Sequence, residues 1–181
     1  APRCTSFQLL WFSLDSCAWK QIARWPFLTE LLLETCAGLD AEADLATASF
    51  TPLLARLDKL SLWAYHKRPL DSVLCGARRL RSVTLNLQAF TQLSSTMPLS
   101  RVQINAASVI ACLATIPTLE QLALYEMSTP DSQGLEAELQ ALAQGCALTS
   151  FKVAECLALS DESIGLFSLC PSLTTMDWGA R

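Results

Sequence analysis

Apolar residues recur along the chain in one spacing, apolar-x-x-apolar-x-apolar, with polar residues filling most of the gaps. Copies open at Cys4 (with Phe7 and Leu9), Leu28 (Leu31, Leu33), Leu57 (Leu60, Leu62) and Leu80 (Val83, Leu85). Four more open at Leu99 (Val102, Ile104), Leu119 (Leu122, Leu124), Leu148 (Phe151, Val153) and Leu173 (Met176, Trp178). Successive openings lie 19 to 29 residues apart, the interval of a stacked repeat whose units each contain one supersecondary element.

Within each copy the fourth and sixth positions share the period of two that a strand requires, so their side chains point to one face and the residues between them to the other. Between copies the period lengthens to that of a helix. Leu135, Leu139 and Leu142 have helical spacing within 132–145, as do Ile164, Leu166 and Leu169 after the N-cap candidate Ser160. One strand-plus-helix unit cannot cover its own apolar face, whereas stacked units bury a continuous core. The pattern therefore predicts an α/β fold: one right-handed solenoid, or horseshoe, over residues 1–181, with about eight coils. Short parallel strands line its concave side and helices its convex side.

The third, fifth and seventh positions of each copy are expected on the concave strand face, the usual binding surface of such stacks. They are mostly polar while their neighbours are apolar, and a register slip would have mixed the two sets. Trp63, Arg101 and Tyr125 are the residue types most often found as interface anchors. With Thr84, Asn86, Gln103, Asn105, Gln121 and Lys152 they form the predicted protein-binding patch.

Charge narrows the partner class. Thirteen basic against seventeen acidic residues give a formal net charge of -4, with no basic stripe to neutralise phosphates, so nucleic acid is not the expected ligand. The most apolar stretch, 106–117, is well short of the roughly 20 residues needed to span a bilayer as a helix. The opening Ala1-Pro2-Arg3 lacks a methionine and a secretory signal pattern, as expected of a processed protein or a piece of a longer one.

The eight cysteines include no C-x-x-C pair and stand beside a single histidine, His66, so neither a zinc site nor another bound metal is expected. Several fall where the repeat would bury them, which points to free thiols and a reducing, intracellular compartment: the cytoplasm, or a mitochondrion as the alternative. No catalytic residues are expected. His66 sits beside Lys67 and Arg68 with no nucleophile motif near it. Asp40, Glu42, Asp44, Asp161 and Glu162 lie near predicted helix starts, where backbone dipoles favour carboxylates. Gly134, Gly145 and Gly165 lack the spacing of a phosphate loop, so no nucleotide or other cofactor is expected.

The run Leu148-Thr-Ser-Phe-Lys-Val-Ala-Glu-Cys156, followed by Leu159-Ser-Asp-Glu-Ser-Ile164 and Leu169-Cys-Pro-Ser-Leu173, resembles one full unit of the leucine-rich-repeat superfamily. It is closest to the cysteine-containing, ribonuclease-inhibitor-like branch found in many F-box substrate receptors. Residues 28–36 repeat the strand half. At the ninth position, where that branch carries cysteine or asparagine, the other copies hold Phe12, Tyr65, Gln88, Ala107, Met127 and Arg181. The resemblance implies a scaffold without catalytic residues: a non-catalytic module binding a protein partner on its concave face. Two alternatives stand beside it. One is a structural subunit of a large assembly, possibly organellar, using its ends and helical side. The other is the substrate-recognition part of an F-box-type ubiquitin ligase, with the F-box outside this sequence.

Overall fold

The computed structural model describes residues 3–10, 16–34, 51–63, 74, 77–86, 106–125, 135–154 and 161–179. Among these residues seven strands form one parallel sheet in chain order: β1 (Ser6–Leu10), β2 (Glu30–Glu34), β3 (Lys59–Trp63), β4 (Ser82–Asn86), β5 (Gln121–Tyr125), β6 (Ser150–Ala154) and β7 (Thr175–Trp178). The described helices between them are α1 (Ser16–Ala23), α2 (Thr51–Leu54), α3 (Ala106–Ala114), α4 (Leu135–Gly145) and α5 (Asp161–Leu166), the last running into a 3-10 turn, Phe167–Leu169.

Equivalent repeat positions stand side by side throughout. Phe7, Leu31, Leu60, Val83, Leu122, Phe151 and Met176 are successive neighbours at the fourth position, and Leu9, Leu33, Leu62, Leu85, Leu124, Val153 and Trp178 at the sixth. Those on β2 to β6 are buried, and the opening leucines Leu28, Leu57, Leu80, Leu119 and Leu148 are fully so. They share one core with Ile22, Leu53, Leu74, Ile110, Leu139 and Phe167 from the inter-strand segments. The sheet therefore packs one face on the helices and turns the other outward, which is what alternating apolar and polar positions require.

A repeated backbone clamp holds this register. The carbonyl of each second-position residue accepts the N–H groups of the second and third positions of the next coil, at 2.8 to 3.1 Å: Thr5 from Thr29 and Glu30, Thr29 from Asp58 and Lys59, and so on through Thr149 from Thr174 and Thr175. Where the second position is threonine its hydroxyl adds a third bond. Thr29, Thr149 and Thr174 donate to the carbonyls of Thr5, Glu120 and Thr149 at 3.3, 3.1 and 3.0 Å. A coil displaced by one residue would lose all three bonds at once.

The clamp also joins β4 to β5 directly. The copy at Leu99 lies outside the described residues, but the Arg81 carbonyl accepts directly from Glu120 and Gln121, and β4 pairs with β5 from Ser82↔Gln121 to Asn86↔Tyr125. Among the described residues β4 and β5 are therefore direct neighbours in the sheet. Cysteines placed at Thr84 and Ala123, which are direct Cα partners, are expected to form a disulfide under mild oxidation, identified by peptide mapping. An intervening strand would separate their backbones by about 9.6 Å, beyond the roughly 7 Å limit for a disulfide, and no cross-link would form.

The helical spacing at Ile164, Leu166 and Leu169 is met by α5 and its 3-10 turn, while one expectation for the last copy is revised. In α5 and its 3-10 turn the buried face is Ser163, Phe167 and Cys170, while Ile164 and Leu166 are half-buried and Leu169 is 49% exposed. The reason is Phe151 beneath: the Phe167 ring stacks on it at 4.1 Å between centroids and sets the helix rotation. In the last copy Met176 is 37% exposed and Trp178 half-buried, since among the described residues nothing flanks β7 on its outer side. The sequence predicted both as core.

Helix ends are closed by residues of the following coil. Arg56 Nη2 donates to the carbonyls of Ala23 and Trp25 at 3.1 and 3.0 Å, past the end of α1. Cys146 does the same for α3: its thiol reaches the carbonyls of Leu113, Ala114 and Ile116 at 3.5, 3.9 and 3.4 Å. These are groups that a helix C-terminus leaves without intrahelical partners. Cys170 donates to the Leu148 carbonyl at 3.8 Å, at the opening of its own coil. Burial, with Cys170 nearby, pushes the Cys146 thiol up to about 11, and burial also raises Cys170.

Both buried thiols are therefore expected to resist iodoacetamide in the native protein at about pH 8, while exposed Cys17 is alkylated; thiolate and access are both required. A thiol raised on folding stabilises the folded state at neutral pH, and that contribution is lost as pH rises through the raised value. Peptide mapping with and without urea checks this. Equal native labelling of all three would show that the last coils are not packed as described.

Candidate functional site

The outward face is built from the third, fifth and seventh positions, and the strand register decides which of its side chains meet. Six of the nine residues expected there are described: Trp63 on β3, Thr84 and Asn86 on β4, Gln121 and Tyr125 on β5, and Lys152 on β6. All six are outward and at least partly exposed. Arg101, Gln103 and Asn105 lie outside the described residues.

Trp63 and Tyr125 occupy the same repeat position on strands separated by β4, with Asn86 between them. Two strand spacings put their backbones about 9.6 Å apart, yet their ring centroids lie 4.7 Å apart at an interplanar angle of 39°. Both rings therefore lean over the Asn86 row and form one aromatic ridge across three strands. Such a pair contributes about 0.5–1.5 kcal/mol beyond its buried area. It also fixes two large side chains in advance, which lowers the entropic cost of using them as anchors.

Lys152 Nζ lies 6.0 Å from the centroid of the Tyr125 ring and 2.7 Å from Asp177 Oδ2 on β7. The hydrogen bond to Asp177, then the charges of Tyr125 and Asp177, raise the Lys152 ammonium above the ordinary lysine value. Across the sheet Lys59 Nζ is 3.0 Å from Glu30 Oε1. Along the second-position rim Asp58 pairs with Arg79, just before the Leu80 copy, and Glu120 with Arg81, at 3.8 and 3.6 Å. Solvent-exposed pairs of this kind contribute only about 0–1 kcal/mol to stability. Their main effect here is to match these charges locally.

Asp177 was missing from the patch read from the sequence, although the signal was present. It sits at the fifth position of the last copy, as Lys152 does in the one before, and opposite charges at equal positions of successive copies are cross-strand partners. Glu30 and Lys59 show the same relation at the third position.

No family model matches the sequence, and no curated protein matches it. Among solved structures the chain is similar to an internalin (inlF) from Listeria monocytogenes str. 4b F2365, with 13% identity over 97% of this chain and 54% of that one, at a TM-score of 0.46. The chain spans about half the length of that protein. The strand ladder itself is the stronger observation. It describes an α/β solenoid of leucine-rich coils.

No helix among the described residues is long and apolar enough to cross a membrane. The carboxylates Asp161 and Glu162 stand in the first turn of α5, as helix-start residues do. His66, Asp40, Glu42 and Asp44 lie outside the described residues, as does Ser160.

Proposed function

We propose that the chain is a non-catalytic interaction module that holds a protein partner against its outward strand face. In this reading the coils are right-handed, the hand taken by nearly all parallel strand–connection–strand units, and the strand face is the concave one. Trp63 and Tyr125 are the central anchors. Thr84, Asn86, Gln121 and Lys152 supply the surrounding hydrogen bonds, joined by Arg101, Gln103 and Asn105. The observation that carries the proposal is the aromatic ridge, two large rings held together on the face of β3 to β6, whose other outward residues are small or polar. Interfaces concentrate their binding energy in such aromatic clusters, with polar groups around them. Thiols at Cys146 and Cys170 that serve as buried donors favour a reducing compartment, the cytoplasm first.

The test compares proteins recovered from a native extract by the wild-type chain and by a Trp63→Ala/Tyr125→Ala variant with unchanged circular dichroism. Recovery of the specific partner is expected to fall about tenfold or more. Equal recovery would remove the strand face from consideration.

A second reading, a structural subunit of an assembly, is favoured by one feature: among the described residues the large apolar side chains of Leu169 and, on β7, Met176 are 49% and 37% exposed. On that reading Met176→Asp, and not the aromatic variant, abolishes association.

A further inference from the structure

The backbone clamp has a donating side and an accepting side. Within the stack each second-position carbonyl accepts the second- and third-position N–H groups of the next coil. Among the described residues no earlier coil offers such a carbonyl to Thr5 and Ser6, and no later coil offers N–H groups to Thr174. One edge of the sheet therefore carries the donors and the other the acceptor. Thr5 also has the hydroxyl that, at Thr29, Thr149 and Thr174, adds the third bond of the clamp.

We propose that a second copy of this chain lays its β1 along the outer edge of β7, so that chains stack head to tail and one parallel sheet runs through both. The inference rests on the assembly reading above and names its partner. Continued in register, the ladder sets Phe7 of the next copy beside Met176, Gln8 beside Asp177 and Leu10 beside Gly179. Met176 is 37% exposed at a position that is buried on β2 to β6. It gains the ring of Phe7, itself only partly buried with its edge against Trp25. Leu10 is likewise 37% exposed, and it meets a residue without a side chain. A Cβ added at Gly179 would stand 3.1 Å from the Ala154 Cβ, so a leucine leaning over from the next strand covers two small residues and meets no bulk.

Strand edges recruit other strands unless charge, proline or a bulge guards them. β1 has neither a charged residue nor a proline, and the one charge of β7, Asp177, is matched by Lys152 from inside the stack. The polarity of the clamp selects the geometry. A two-fold pairing of β7 with β7 runs antiparallel and denies the Thr174 carbonyl the tandem N–H groups of the clamp. A foreign strand would have to reproduce the second-position hydroxyl and the apolar fourth position that β1 already carries. Joining unlike edges is a heterologous contact, which repeats from copy to copy.

The experiment follows the mass of the full 181-residue chain by sedimentation velocity. Weight-average mass is expected to rise at least about twofold between micromolar and near-millimolar protein, the range of a small contact. Met176→Asp charges the accepting edge, and Thr5→Pro removes a donor from the other. Each variant is expected to stay monomeric, while an equal mixture forms a dimer, because each retains the edge that the other lacks. A cysteine pair keeps the test valid if Thr5→Pro disturbs the first coil. Gln8→Cys chains mixed with Asp177→Cys chains are expected to give an interchain 8–177 disulfide by peptide mapping, with no 8–8 or 177–177 link from either alone. Trp63→Ala/Tyr125→Ala is expected to leave the mass unchanged. A wild-type chain that stays monomeric overturns the inference, as do association indifferent to both edge variants, a mixture that stays monomeric without the 8–177 link, like-to-like links, or loss of association in the aromatic variant. In each of those cases the assembly reading survives if Met176→Asp still abolishes recovery of proteins from a native extract, and falls if recovery is unchanged.

Discussion

Replacing Phe151 with alanine is expected to lower the free energy of unfolding by about 3–5 kcal/mol, the usual cost of deleting a fully buried aromatic ring. Phe151 is completely buried on β6, stacked on Phe167, and its strand neighbours at the same position are Leu122 and Met176. Its removal leaves a cavity bounded on three sides and unlocks the rotation of α5. In a stack, stability is a sum of unit and nearest-neighbour terms. The loss is therefore expected to be uneven, with hydrogen exchange accelerating most in β6, α5 and β7. Urea unfolding with residue-resolved exchange measures both quantities. A loss under about 1 kcal/mol would mean that the last coils are not joined through this pair.

The second large effect concerns two adjacent residues. Leu124→Glu is expected to prevent stable folding, whereas Ala123→Glu is expected to be nearly neutral. Leu124 is fully buried between Leu85 and Val153, and an unpaired carboxylate there costs more than a marginally stable chain can offset. One residue earlier the side chain emerges on the outward face, directly beside Lys152, where a carboxylate meets a cation and water. Surface changes of that kind usually stay within about 0.5 kcal/mol. Thermal melts of the two variants side by side decide the matter. Equal damage from both would show that the strand does not alternate between core and solvent.

The same alternation explains why so much was readable in advance. Every described strand occupies its predicted copy, and every outward residue that is described faces outward, because period-two alternation is a local property of an extended backbone. The copy at Leu99 lies outside the described residues. Leu99, Val102 and Ile104 satisfy the pattern as well as their counterparts do, and β4 bonds directly to β5 through Arg81, Glu120 and Gln121. Apolar spacing does not report which strand edge is already occupied. The rotation of α5 is likewise a tertiary property. Ile164, Leu166 and Leu169 have helical spacing, yet the face that goes inward is set by the ring of Phe167 meeting Phe151, two residues 16 apart in sequence. Met176 and Trp178 were read as core because their positions match buried ones elsewhere; burial also requires a neighbour on each side, and an end strand has only one.

For the candidate face the division is equally physical. The sequence by itself determined which side chains point away from the core, and therefore that Trp63, Tyr125 and Lys152 share a surface with Asp177 and Glu34. Only the tertiary structure decided that the two rings meet over Asn86, that Lys152 is held by Asp177, and that Glu34 flanks the indole. Facing follows from torsion angles within one strand, but contact depends on which strands are neighbours and how far long side chains lean between them.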